Sequence, residues 1–223
     1  LRISSKNPTL ILNKHKIELE LVETEIDILS YFKDNFVIKE FWYRTKDNKI
    51  NDLVSIAALE RPSLIIYNVF IQKGYANVNG FLKFDKEGKI YNYQLNGEIK
   101  DAELKYNKKY HFNNINFNFS NVKDGIFINN AEFNYKKIKF LSKEISIFNT
   151  ENINIEGDIK NKKISINLSE FKNLLEKDLN FIEDQEIKFE TKNKFSFKID
   201  KKKISKLKYS SQIDLENIIL NPK

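Results

Sequence analysis

A two-residue rhythm limits this chain more than any other feature. In GKIYNYQLNGEIKDAELKY, residues Gly88–Tyr106, the side chains of Tyr91, Tyr93, Leu95, Gly97 and Ile99 alternate with Asn92, Gln94, Asn96, Glu98 and Lys100. Side chains of an extended chain point alternately to its two sides, so this is a ribbon with one apolar and one polar face. Similar stretches recur almost to the end of the chain, with few helical patterns between them. The expected fold is therefore mainly β: a long antiparallel meander with two or three short helices. So few helices cannot cover such a sheet. It must fold on itself as a sandwich, close as a barrel, or curl into an open apolar trough that a ligand or membrane covers. Alternation alone leaves all three open.

The opening residues predict strands around Leu10–Leu12 and Ile17–Leu21. EIDILSYFKDN predicts a short helix with Ile28, Leu29 and Phe32 on one face, and FVIKEFWYRT a strand. INDLVSIAALERP predicts a helix capped by Asn51 or Asp52, with Leu53, Ile56 and Ala57 at helical spacing and Pro62 as its stop. From Leu64 onward strands are expected to take over. One hairpin turns at Asp85–Gly88, and another carries Ile115, Phe117 and Phe119 into a turn at Lys123, Asp124 and Gly125. Strands follow at Ala131–Tyr135, Ile138–Phe140, Ile145–Phe148, Ile153–Ile159 and Ile164–Leu168. Ser169 is positioned to cap a helix near 169–182, with Phe171, Leu174, Leu175, Leu179 and Ile182 along one face. Strands resume at Ile187–Phe189, Phe195–Ile199, Ile204–Tyr209 and Ile213–Leu220.

The net charge of +7 invites a nucleic-acid partner, but only Arg2, Arg44 and Arg61 are arginines and the other basic residues are lysines. Readers of bases and phosphates favour the bidentate arginine fork. Solvated lysines are the expected reading, with no nucleic acid bound. The absence of Cys excludes disulfides, zinc–thiolate sites and thiol nucleophiles, so packing alone must hold the sheet. The absence of Met, at position 1 as elsewhere, leads us to expect that the chain begins inside a longer protein. No apolar run approaches the roughly 20 residues of a membrane-spanning helix.

Catalytic signatures are missing. His15 and His111 stand far apart in strand-like contexts, and no HExxH, GxSxG or P-loop spacing occurs. Glu183 and Asp184 read as a solvated polar turn. No enzyme activity, metal site or cofactor is expected.

The N-terminal part resembles the AsmA-like family of bacterial envelope proteins, which includes relatives of TamB and YhdP. The resemblance is carried by NPTLILNKHKIELELVETEIDILSYF, by FVIKEFWYRT, and by RPSLIIYNVFIQKGYANVNGFLKFDKEGKIYNYQLNGEIKDAELK. The last resembles that family's repeating blocks, with FD-x-x-G-K-I followed by apolar-x-G-x-I-K-D-A. The resemblance as a whole covers about the first two thirds of the chain. The resemblance implies a single elongated segment of a longer protein, with residues 1–62 as a chorein-like opening and 63–223 as repeating strands. It implies a curved β-groove in the periplasm of a Gram-negative bacterium, anchored in the inner membrane by a helix upstream of Leu1. Phospholipids would be its cargo, moving between inner and outer membranes and sustaining outer-membrane integrity, with outer-membrane proteins as further partners. The family brings no catalytic residues. The expected lipid-lining positions are Tyr91, Tyr93, Leu95, Ile99, Ile115, Phe117, Phe119, Phe133, Tyr135, Ile145, Ile147, Ile153, Ile155, Ile164 and Ile166. A structural or adhesive surface protein whose sheet covers itself is the rival expectation.

Overall fold

The computed structural model describes residues 1–27, 38–149, 152–176, 185–200 and 203–216, together with 182 and 219. The expected helix around Ile28, Leu29 and Phe32, the Glu183–Asp184 turn, Leu179 and Leu220 lie outside these residues. Among the described residues thirteen strands form one antiparallel sheet. They are β1 Arg2–Lys6, β2 Thr9–Leu12, β3 His15–Ile26, β4 Ile38–Thr45, β5 Asn48–Lys49, β6 Ile71–Phe84 and β7 Ile90–Lys105. β8 His111–Val122, β9 Gly125–Tyr135, β10 Ile138–Asn149, β11 Ile153–Asn167, β12 Glu186–Asp200 and β13 Lys203–Glu216 complete it. The order β1-β3-β4-β6 continues in sequence through to β13, with β2 paired to β3 and β5 to β6. β1 and β13 do not meet, so the sheet is open and not a barrel. Pairing of β4 with β6 carries it without a break past residue 62.

Strands β6 to β13 are 11–16 residues long, and they absorb several pairs of shorter segments expected from the sequence. The apparent gaps in β9, β10 and β11 are β-bulges, whereas those in β12 and β13 are regularly paired ladder. Asp101, Asn114 and Asn130, with φ near +50°, each add a residue to β7, β8 and β9, and the register slips again between Leu141 and Ile145 of β10. A bulge bends its strand and sharpens the local twist. Here neighbouring strands bend side by side, and Ala102, Ala131 and Ser142 are buried along that line, where a larger side chain would resist the bend.

The helices pack over one end of the strands. Helix α1 (Ile50–Glu60) presses Ile50, Leu53 and Val54 onto Ala76, Ala102, Ile71, Ile99 and Ile115. It differs from expectation at its start. No side chain caps it, because the helix begins at Ile50 and the cap position falls on Lys49; Asn51 donates to the Ile71 carbonyl, Asp52 bonds His15, and Ala57 is exposed. Strands do not begin at Leu64 either. Pro62 opens a 3-10 turn, Pro62–Ile66, followed by the short helix α2, Tyr67–Phe70. Proline's fixed φ favours that first helical position, and the run Leu64–Ile66 has no period to oppose it.

Helix α3 (Leu168–Leu175) ends well before 182 because Glu176 takes the left-handed conformation. Its cap is Asn167, not Ser169: Asn167 Oδ1 accepts from the Glu170 amide at 2.8 Å. Leu168 and Phe171 are buried against Ile138, Ile187 and Phe189. Asn167→Ala is expected to cost about 1 kcal/mol, read as a lower urea midpoint with unchanged β-sheet circular dichroism.

Candidate functional site

Residues paired directly across antiparallel strands share a face, so the register assigns every side chain. One row runs Tyr43, Gly80, Leu95, Asn121, Ile126, Ile147, Ile155, Phe197 from β4 to β12. The next runs Val78, Gly97, Phe119, Ile128, Ile145, Gly157, Phe195, Tyr209 from β6 to β13. At strand spacing, eight strands make a band about 34 Å long. Its glycines matter for close packing. A Cβ at Gly97 would stand 2.6 Å from the Phe119 ring, and one at Gly157 would stand 2.9 Å from Ile145. Each glycine lets its larger neighbour lie flat across it.

The register places Tyr93, Leu95 and Ile99 (β7), Ile115, Phe117 and Phe119 (β8), and Phe133 and Tyr135 (β9) on this apolar face. Ile145 and Ile147 (β10) and Ile153, Ile155, Ile164 and Ile166 (β11) join them. Tyr91 does not belong to the paired rows. It falls at the register slip between Lys83 and Phe84 and is 61% exposed.

The face has two regions. At the helical end, Ile99 and Ile115 pack under α1, and Ile164 and Ile166 pack beside α3, so these four belong to helix–sheet cores. Between the helices Phe112, Phe133, Tyr135 and Phe140 form a run of ring contacts with centroids 5.2–5.8 Å apart. Away from the helices, Leu95, Phe119, Ile128, Ile145, Ile147, Ile155 and Phe195 are half-buried by their neighbours in the sheet, while Ile126 and Ile153 are exposed. Among the described residues no second layer lies over them: the fully buried large side chains are Phe189 and Ile187, beside α3. Sequence reasoning passed over Phe41, Tyr43, Val78, Leu82, Ile126, Ile128, Phe195, Phe197 and Ile199, which extend the same face. Their own two-residue alternation was the signal.

The opposite face is mainly polar and ion-paired, with two aromatic pairs, Trp42–Phe81 and Phe127–Phe148, set among its polar residues. Lys83 (2.7 Å) and Trp42 Nε1 (3.1 Å) donate to Glu40 and hold its carboxyl below the usual range. His111 (2.7 Å) and Lys73 (3.2 Å) do the same for Glu103, and Asn77 and Lys100 for Asp47. Such exposed pairs add little stability, but they keep this side hydrated. Shallow depressions on it, such as that between Asn77, Asn96, Glu98, Asn118 and Ser120, are lined mainly by polar groups.

The histidines are not brought together: His15 Nδ1 lies 2.9 Å from Asp52 Oδ1, and His111 pairs with Glu103. Among the described residues no three His, Asp or Glu side chains converge as metal ligands do, and no helix is long and apolar enough to cross a membrane. Comparison with models of known protein families, with curated proteins and with solved structures gives no match.

Proposed function

We propose that this chain is a non-enzymatic lipid-transfer segment of the AsmA-like kind, carrying phospholipid acyl chains on its apolar face through the periplasm between inner and outer membranes. The observation that supports this reading most is the pair of apolar rows, nearly unbroken across eight strands, over which no second layer lies among the described residues. Each CH₂ removed from water is worth about 0.8 kcal/mol, so an acyl chain binds such a band without specific contacts. Head groups stay in solvent. Successive positions along a row differ little in chemistry, so a tail slides from strand to strand without a deep trap. The rival, a structural or adhesive surface protein, needs these rows covered by the protein's own chain.

The test is native mass spectrometry of the chain purified from a bacterial periplasm without detergent, followed by lipid extraction. Stoichiometric co-purified phospholipid is the expected result. A folded, lipid-free protein would sink the proposal.

A further inference from the structure

The segment Arg61–Phe70, which joins α1 to β6, is amphipathic in an inverted sense. In its second half the polar residue points inward, while Arg61 and Ser63 at its start are exposed: Asn68 Nδ2 donates to Ser55 Oγ at 2.8 Å, and its Oδ1 is buried. Its aliphatic residues point outward. Ile65 is 52% exposed, Ile66 53% and Val69 66%, with Tyr67 beside them. A surface turn that hides its amide and shows its aliphatic side chains is the reverse of what solvent favours, since apolar surface in water is unfavourable.

The surroundings indicate what covers it. Phe70 stacks on Tyr106 at 5.3 Å, which joins this turn to the β7–β8 connection, where Tyr106 is 63% exposed. Lys105 ends β7, the connection carries Lys108 and Lys109, of which Lys109 pairs with Glu176, and Arg61 begins the turn itself. No Asp or Glu occurs between Glu60 and Asp85. Aliphatic tips, tyrosines at the margin and a rim of cations match the layers of a bilayer surface: acyl carbon, interface and anionic head groups.

We infer that this knuckle docks the helical end of the sheet onto an anionic lipid bilayer, with Ile65, Ile66 and Val69 inserted and Lys105 and Lys108 against the head groups. This holds whether or not the apolar face carries lipid. The chain has no cysteine, so Val69→Cys carries a single environment-sensitive fluorophore. Its emission is expected to shift to the blue with protein-free vesicles containing phosphatidylglycerol, and much less with phosphatidylcholine alone. The same dye at Lys86→Cys, in the turn beyond the far end of β6, is expected not to shift.

In flotation assays, the triple variant Ile65→Ser/Ile66→Ser/Val69→Ser is expected to lose more than about tenfold in vesicle binding. Its circular dichroism should not change, because these side chains are already exposed. Lys105→Gln/Lys108→Gln is expected to remove most of the preference for phosphatidylglycerol and its salt sensitivity. A triple variant that binds like the parent would overturn the proposal. So would a parent that binds protein-bearing membranes but not protein-free vesicles, since its partner is then a protein. Lipid extracted from the same samples scores the carrier reading separately: an empty protein that still binds vesicles defeats that reading and leaves docking intact.

Discussion

Replacing Ile155 by Asp is expected to leave the sheet folded and empty it of lipid. Ile155 stands in the open row, paired with Ile147 on one side and Phe197 on the other. It is half-buried by these neighbours, and among the described residues nothing lies above it. In the lipid-free protein an aspartate there reaches water, so the cost to folding is limited to lost strand propensity and side-chain packing, about 1–2 kcal/mol. In the loaded protein the same carboxylate lies against acyl chain. Taking an ion out of water there costs several kcal/mol with no partner to offset it. The two states therefore respond very differently to one substitution. Circular dichroism and native mass spectrometry on the same preparation separate them. Glu156→Lys, the next residue but on the polar face, is expected to keep its lipid. If Ile155→Asp unfolds the chain, the residue belongs to a closed core; if it loads lipid like the parent, the row is not the binding surface.

Alternation made the face legible. Tyr93, Leu95, Phe117, Phe119, Ile147 and Ile155 could be assigned to one side because the period of a strand is fixed by backbone geometry, whatever the strand pairs with. The bulges were less legible. The phase slip from Ile128 to Ala131 looks like a strand end in the sequence, and that from Ile99 to Ala102 passes unmarked, yet both are single extra residues inside continuous strands. The clue was Asp101 and Asn130 at those points, since Asn and Asp tolerate positive φ better than most residues. For helix α3 the sequence pointed to Ser169 as the cap, and Asn167 takes that place instead. The choice fell to a contact that no local pattern encodes: the Leu168 amide bonds the Gln185 carbonyl and fixes where the strand gives way to the helix. The same limit applied to the lining. Ile164 and Ile155 look alike in the sequence, but only Ile164 lies beside Phe171 and Phe189, and that is a matter of tertiary packing.

Phe189 is expected to be the most damaging position at which to truncate a side chain. It is 2% exposed, meets Phe171 edge-on at 5.3 Å, and pairs with Ile164 across β11 and with Leu215 across β13. Together with Ile187 it anchors α3 to the sheet. Phe189→Ala removes a ring that packing cannot replace and leaves a cavity under the helix, for a loss of about 3–5 kcal/mol. Domains are stable by only about 5–15 kcal/mol in total, so the variant should unfold at a much lower urea concentration. Phe195 gives the comparison. It lies on the same strand and the same face but in the open row, half-buried and, among the described residues, without a helix above it. Phe195→Ala is expected to cost only about 1 kcal/mol in the lipid-free protein. Urea unfolding of both variants, with lipid removed, therefore measures the cover over each ring. Equal losses at the two positions would mean that protein covers the open row as it covers the helical end, and no surface would be left there for an acyl chain.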